Sequence, residues 1–519
     1  MKIVHIATET AGGAGRAAYR LHRALREIGV DSAMLVSKKH PNDRDVRQTS
    51  QVSDWTSYLG NLVQHYYLDR HRSADWNTHF SLAWSGVDLS DHPLVRDADV
   101  IHLHWLWNFQ STASLGRLMG LGKPVVWSFH DQRAFTGGCH YSAGCRQYET
   151  GCANCPQLTA DPAGWTAAVV ADQARLWQRD AVTVIGLSTW MADCARKSWV
   201  WRNSRIEVIP NCVEADIYLP QDKRKCRQKL GVPEDAKCVL FGADHGAEIR
   251  KGFHRFLKSL ERCSEDPWFA AEVAARRICF ICFGNPGPEA TQSPVSIQSL
   301  GYLLNDEDLS LAYGAADFFV LPSIEDNLPN TVLESMSCGT PVLALDVGGL
   351  RDMVIEGATG WLVPPDDEQR LAAALLQLLR GTIPTAKMAM SCRAHVCGHF
   401  APGLQARRFS DLYAELILNP PAAVTGRATT THELVQAGWG PRSRMALPEV
   451  IRMVASELRT EIPPEPSLYL AVQSALADSS HFDELLGGWQ RAFDPTGRKR
   501  LRQAFKNFRR NLARVCGRK

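Results

Sequence analysis

Twice along this chain, short apolar runs alternate with stretches of helical periodicity, and this alternation restricts the fold more than any other feature. In the first half, runs of strand length occupy residues 3–7, 100–103, 124–129, 182–187 and 207–209. The turn Gly12-Gly13-Ala14-Gly15 follows the first run. Residues 16–27 come next, with Ala17, Ala18, Leu21, Ala24 and Leu25 spaced as one helix face. From about residue 237 the pattern restarts. Runs at 238–241, 278–283, 318–321, 341–345 and 361–363 alternate with helical spacing at 252–261 and 306–315. Strands that are apolar throughout and separated by helices predict parallel sheets covered on both faces. Two such units in tandem predict a cleft between them, a favoured place for a ligand.

The expected organisation is an N-terminal α/β unit over 1–205 and a second over 206–400. A closing helix at 401–418, a linker at 419–429 that begins Asn419-Pro420-Pro421, and an appended helical region at 430–519 complete it. Apolar residues at 45% and charged residues at 22% exclude general disorder. No apolar run approaches the roughly 20 residues needed to cross a bilayer. The N-terminus turns polar too soon for a signal peptide, so the cytoplasm is the expected location.

Net charge is +3, but it is unevenly placed. From Arg498 to Lys519 there are ten Lys or Arg and no acidic residue, which leaves an acidic body. In the same stretch Leu501, Phe505, Phe508, Leu512 and Val515 recur at helical spacing. A basic amphipathic helix of this kind suits an anionic membrane surface, and packing on its own protein or a partner is the other reading. Nucleic acid is not the expected partner, because no recognised module accompanies the charge.

The most specific motif runs from Val320 through Pro322, Glu325, Asp326, Asn327, Pro329, Asn330, Thr331 and Glu334 to Gly339-Thr340-Pro341-Val342. It resembles the nucleotide-sugar site of the family 4 retaining glycosyltransferases, which have the two-domain GT-B fold. That family carries two glutamates with seven residues between them. Glu334 matches the second; Asp326 aligns with the first, with Glu325 beside it. Gly12-Gly13 and Arg16 resemble the family's N-terminal glycine loop. The run Ile209-Pro210-Asn211-Cys212-Val213-Glu214 resembles its Ile-Pro-Asn-Gly-Val-Asp. Lys251-Gly252 matches its phosphate-binding lysine. The arginine expected about five residues before that lysine is replaced by Gly246, and Arg250 is the candidate substitute. The resemblance covers residues 1–418. The segment His130-Asp131-Gln132 through Gly137-Gly138-Cys139-His140-Tyr141, with Cys152 to Pro156, looks like the branch that assembles bacterial exopolysaccharide repeat units of the colanic-acid type.

The resemblance implies transfer of a hexose from a nucleotide diphosphate sugar to a growing, polyprenyl-diphosphate-linked oligosaccharide, on the inner face of the plasma membrane. The N–H groups opening the helix after Pro329 suit a pyrophosphate. Glu334, one turn in, suits the ribose hydroxyls. Asp326 or Glu325 would bind the donor sugar. Lys251, with Arg250, would stabilise charge on the leaving diphosphate. His130, at a strand end, would face the donor sugar or orient the acceptor. The implied route is front-face, with no enzyme nucleophile and no catalytic metal. Two other readings stay open: a GT-B enzyme with a small soluble acceptor, of the sucrose or trehalose type, and a catalytically degenerate GT-B partner subunit.

Fifteen cysteines, mostly scattered, fit free thiols better than a disulfide scaffold. Cys139, Cys145, Cys152 and Cys155 are the exception, clustered in the loop 137–157. Their spacing is open to a structural zinc, to free or redox-active thiols, or to two disulfides. Cys279 and Cys282 lie in a strand pattern, facing opposite sides. Trp105 and Trp107, with Trp76 and Trp84 upstream, could stack on an acceptor sugar, touch a membrane interface or pack in the core.

Overall fold

The computed structural model describes residues 1–421, apart from 50–63, 65–67, 69–70, 84–85, 162–163, 246–247, 286–291, 304, 366–367 and 382–384. The expected membrane-binding tail, the region 430–494, Trp84 and Gly246 all lie outside the described residues. Among the described residues, no helix is long and apolar enough to cross a membrane.

The first sheet has seven parallel strands in the order β3-β2-β1-β4-β5-β6-β7. They are β1 (Lys2–Glu9), β2 (Asp31–Lys38), β3 (Val46–Gln48), β4 (Val100–Leu103), β5 (Val125–Phe129), β6 (Val182–Gly186) and β7 (Arg205–Val208). The second has six parallel strands in the order β10-β9-β8-β11-β12-β13. These are β8 (Lys237–His245), β9 (Ile278–Asn285), β10 (Ile297–Ser299), β11 (Phe318–Leu321), β12 (Val342–Leu345) and β13 (Gly360–Val363). This is the doubly wound pair that defines GT-B. Each strand order reverses once, beside β1/β4 and beside β8/β11, and the crevice outside the strand ends at such a reversal is where ligands settle.

Three strands go beyond those expected from the sequence. β2 carries the apolar run Ala33–Val36 between Ser32 and Ser37, while β3 and β10 have three residues each and lie at sheet edges. β7 pairs with β6 and closes the first sheet, so that sheet extends to Val208, beyond the expected boundary at 205. Cys282 is fully buried on one face of β9 and Cys279 is half-buried on the other, as strand alternation requires.

The first helix begins at Gly12, so the glycines form its opening turn instead of a separate loop. The helix Pro402–Leu418 returns to the first domain. Its Phe409 and Tyr413 are buried with Leu21, Leu25, Ile3, Val100 and Val126. Burying a large apolar side chain is worth about 1.5–3 kcal/mol, so this helix ties the chain's end to its first sheet.

Candidate active site

The cleft between the sheets has a volume of about 570 Å³. Its lining includes Gly12, Gly13, Arg16, His130, Arg250, Lys251, Asp326, Asn327, Pro329, Asn330, Thr331 and Glu334. Residues expected to share a site from more than 300 positions of sequence separation therefore converge on one wall or the other. They do so because each follows the carboxyl end of a strand: β1, β5, β8 or β11.

The centre of the second wall is an ion cluster. Lys251 Nζ lies 2.8 Å from Asp326 Oδ2, and Arg250 Nη1 lies 3.2 Å from the same oxygen. Burial pushes the Asp326 carboxyl up, but Lys251 and Arg250 more than offset it and hold the pKa below the ordinary carboxylate value. Arg250 is fixed on four sides. It also donates to the Glu325 carbonyl at 2.9 Å, pairs with Glu248, and sits 4.0 Å from the centre of the Tyr141 ring. Lys251 is the more accessible cation of the two. Two glycines make the arrangement possible. Gly252 has φ +68°, and a Cβ there would stand 1.8 Å from the Pro322 carbonyl oxygen. Gly348 has φ +55°, and a Cβ there would stand 1.8 Å from the Asp326 carbonyl oxygen.

Asp326 and Glu325, left undivided by the sequence, take different places. Asp326 lines the cleft. Glu325 turns to the first domain, where its carboxylate accepts the Ala143 N–H at 2.8 Å and the Ser142 hydroxyl at 3.3 Å. Successive side chains leave the backbone in different directions, and the one aimed at loop 137–157 becomes a bridge between domains. Burial raises its pKa.

The helix Asn330–Ser337 opens behind Pro329 with no side-chain cap, leaving N–H groups of its first turn toward the cleft. Glu334 is buried in its second turn. Its oxygens meet Arg20 Nη2 at 3.0 Å and the Tyr313 hydroxyl at 3.3 Å. Several donor-side candidates also join the two domains. Arg16 pairs with Asp306 at 2.7 Å, and Asn330 donates to the Gly13 carbonyl at 2.9 Å. Asn327 donates to the Phe129 carbonyl at 2.8 Å and accepts the Ser188 hydroxyl at 2.7 Å.

The opposite wall carries His130, Asp131, His140, Trp105, His79 and Tyr141. Burial lowers the His130 pKa to about 4, so its ring is neutral. Asp131 accepts from Trp105 Nε1 at 2.8 Å and from His140 Nδ1 at 2.6 Å. Trp105 and Trp107 are stacked 5.7 Å apart, and Trp105 reaches the cleft. Arg20 and His104 were not expected at the site from the sequence, and His140 was read only as part of the motif 137–141. Arg20 had a signal, since it stands four residues after Arg16 on the same helix face.

Cys139, Cys145, Cys152 and Cys155 are unpaired thiols lining one small cavity. The Gly137 N–H donates to Cys152 Sγ and the Gln147 N–H to Cys145 Sγ. Among the described residues, the one group of His, Cys, Asp or Glu whose ligand atoms all lie within 4.8 Å of one another is His5, His102 and His104.

Two family descriptions fit this chain in domain order. "Glycosyltransferase Family 4" matches residues 11–217, and "Glycosyl transferases group 1" matches residues 236–381. The chain belongs to the family 4, group 1 glycosyltransferases. Between them the two matches span both walls of the cleft and every donor-side candidate. Among curated proteins, a D-inositol 3-phosphate glycosyltransferase of Thermobispora bispora is 30% identical over 225 residues, 41% of this chain and 51% of the relative. The chain thus spans about half the length of the curated relatives it matches. Among solved structures, a sucrose-phosphate synthase from Thermosynechococcus elongatus aligns with TM-score 0.57 at 20% identity, over 81% of this chain and 100% of that one. Anabaena Alr3699/HepE in complex with UDP-glucose aligns with TM-score 0.54 at 16% identity, over 80% of this chain and 100% of that one. Both likenesses establish the GT-B fold.

Proposed function

We propose that this chain is a retaining hexosyltransferase that moves a hexose from a nucleotide diphosphate sugar to a growing, polyprenyl-diphosphate-linked oligosaccharide in bacterial exopolysaccharide or cell-surface glycan assembly. The observation that carries the reading is the cleft itself. It sets a lysine–aspartate–arginine cluster, an uncapped helix start and a buried glutamate on one wall, facing a neutral histidine on the other.

Each part has a task in this chemistry. The first-turn N–H groups after Pro329 and the Lys251 ammonium bind the diphosphate and stabilise its charge as the glycosidic bond breaks. Glu334 accepts hydrogen bonds from the ribose. Asp326, held ionised by two cations, accepts from hydroxyls of the donor sugar. His130 faces that sugar from the opposite wall. The acceptor hydroxyl enters on the face the diphosphate leaves, and a departing phosphate oxygen takes its proton. Asp326 is then no glycosidase-type nucleophile. Arg250, on Asp326, supports an active over a degenerate site by supplying a cation in place of the missing arginine.

The acceptor-side wall supports a sugar acceptor. Trp105, His79 and Tyr141 offer ring faces, and Asp131 and His140 offer polar edges. Loop 137–157 frames this wall and is proposed as a structural element with no step in the reaction.

Calorimetric binding of UDP, GDP and ADP to the wild type and to Glu334→Ala tests the reading. One nucleotide binding at about micromolar affinity and lost in the variant is the expected result, and it names the donor class. UDP comes first, because HepE holds UDP-glucose on the same fold. Absence of binding by all three would point to the partner-subunit reading.

A further inference from the structure

A row of histidines runs from the cleft into the first sheet. His5 on β1 is in register with His102 on β4, and side chains two residues apart on a strand share a face. His5, His102 and His104 therefore stand together on the face covered by the helix Pro402–Leu418. His130 follows β5 on the same face. His104 Nδ1 lies 3.2 Å from His130 Nε2, and His104 Nε2 lies 2.9 Å from His5 Nδ1. His5 and His104 are buried, and burial holds both neutral.

Neutral imidazole has one N–H and one bare nitrogen, so every hydrogen bond in such a row must run the same way. The far end settles which way. His5 Nε2 is buried with no hydrogen-bond partner among the described residues. If the row donated inward, His5 would hold an unanswered N–H in the sheet, and an orphaned buried donor is the rarer and costlier defect. If it donates outward, His5 Nε2 is merely a bare acceptor. In that direction His5 Nδ1–H donates to His104 Nε2, and His104 Nδ1–H donates to His130 Nε2. The nitrogen of His130 left for the cleft is then Nδ1, carrying its hydrogen.

We propose that His104, backed by His5, is a positioning residue that fixes His130 as its Nδ1–H tautomer and aims that N–H at an oxygen of the sugar being transferred. An unconstrained imidazole favours the Nε2–H form, so the relay imposes the less common one. The identity of the oxygen rests on the glycosyltransferase reading; the tautomer does not. A metal on the same group is disfavoured by the hydrogen bonds already there. His102 uses Nδ1 with the Tyr413 hydroxyl at 2.6 Å and Nε2 with the Ser128 hydroxyl at 2.9 Å, and both His104 nitrogens belong to the relay.

Long-range proton–nitrogen correlation spectra of the full chain, labelled at histidine, read the tautomer directly. The His130 signals are identified by their loss in His130→Asn. The wild type is expected to show His130 with hydrogen on Nδ1. In His104→Phe it is expected to revert to Nε2–H, with UDP affinity within about twofold of wild type and UDP-glucose turnover down about tenfold, the worth of one hydrogen bond. A His130 that carries its hydrogen on Nε2 in the wild type overturns the proposal, and so does an unchanged tautomer in His104→Phe. Should that variant fail to fold, the wild-type spectrum alone decides. A wild type with Nδ1–H at His130 but no turnover of any nucleotide sugar would leave the relay standing and remove the glycosyltransferase reading.

Discussion

Arg20, in the first helix of the N-terminal domain, places its Nη2 3.0 Å from Glu334 Oε1 in the C-terminal domain, across 314 residues of sequence. The same guanidinium also pairs with Glu214. The glutamate expected to hold the ribose is therefore anchored from the opposite domain, so nucleotide binding and the approach of the two domains share one side chain. Removing Arg20 as Arg20→Met leaves the buried Glu334 and the half-buried Glu214 without this cation. The expected cost is about 3–5 kcal/mol in chemical denaturation, together with weaker UDP binding by calorimetry. Unchanged stability would show that the pair is not formed in solution.

Asp326 and Glu325 are neighbours with separate contacts, and their variants are expected to part. Asp326→Asn removes the charge that Lys251 and Arg250 are built around, and transfer is expected to fall by about a hundredfold or more. Glu325→Gln keeps an acceptor for the Ala143 N–H, and turnover is expected to stay within about threefold. Equal losses in steady-state turnover would mean that both carboxylates reach the donor.

The buried histidines set a pH dependence of stability. Burial lowers the pKa values of His5, His102 and His104 well below the ordinary value, and those of His22 and His130 to about 4. In the unfolded chain each titrates near pH 6.5. Between these limits the unfolded state binds more protons, so stability is full above about pH 6.5 and falls as pH is lowered toward 4. Each histidine contributes a slope approaching about 1.4 kcal/mol per pH unit. Urea midpoints measured from pH 7.5 down to 5 should drop steeply, and a flat profile would mean that these rings are not buried neutral.

Gly348 tests how closely the loops of the donor wall are stacked. With φ +55° and the Asp326 carbonyl oxygen 1.8 Å from where a Cβ would lie, Gly348→Ala must displace the segment that carries Asp326. The expected outcome is a loss of about 1–3 kcal/mol and a larger loss of donor affinity than at Gly357, where a Cβ would meet nothing within 4 Å. Parallel Gly348→Ala and Gly357→Ala titrations with UDP make the comparison.

Much of this molecule is legible in its residues because both sheets are parallel and buried on two faces. β11 and β12 read as apolar runs without interruption, β4, β5 and β6 as apolar runs with one polar residue each (His102, Ser128 and Thr183), and the helix Asp306–Ala315 falls at its expected limits. β3 and β10 escaped because three residues are too few to carry that signal, whereas β2 escaped although Ala33–Val36 is an apolar run. The relative places of Pro329, Asn330, Thr331 and Glu334 were legible for another reason: all four are set by one helix start, where local geometry fixes them.

What sequence alone determined is therefore local: which residues form strands, which loop follows each strand, and which chemistry each loop carries. Only the tertiary structure decided how those loops face one another. It turned Asp326 into the cleft and Glu325 onto loop 137–157, and brought Arg20 to Glu334. It also lined up His5, His104 and His130 from three strands. The reason is physical. Spacing along a helix or strand constrains neighbours a few residues apart, whereas strand order and domain approach are set by burial of whole faces, which no single motif encodes.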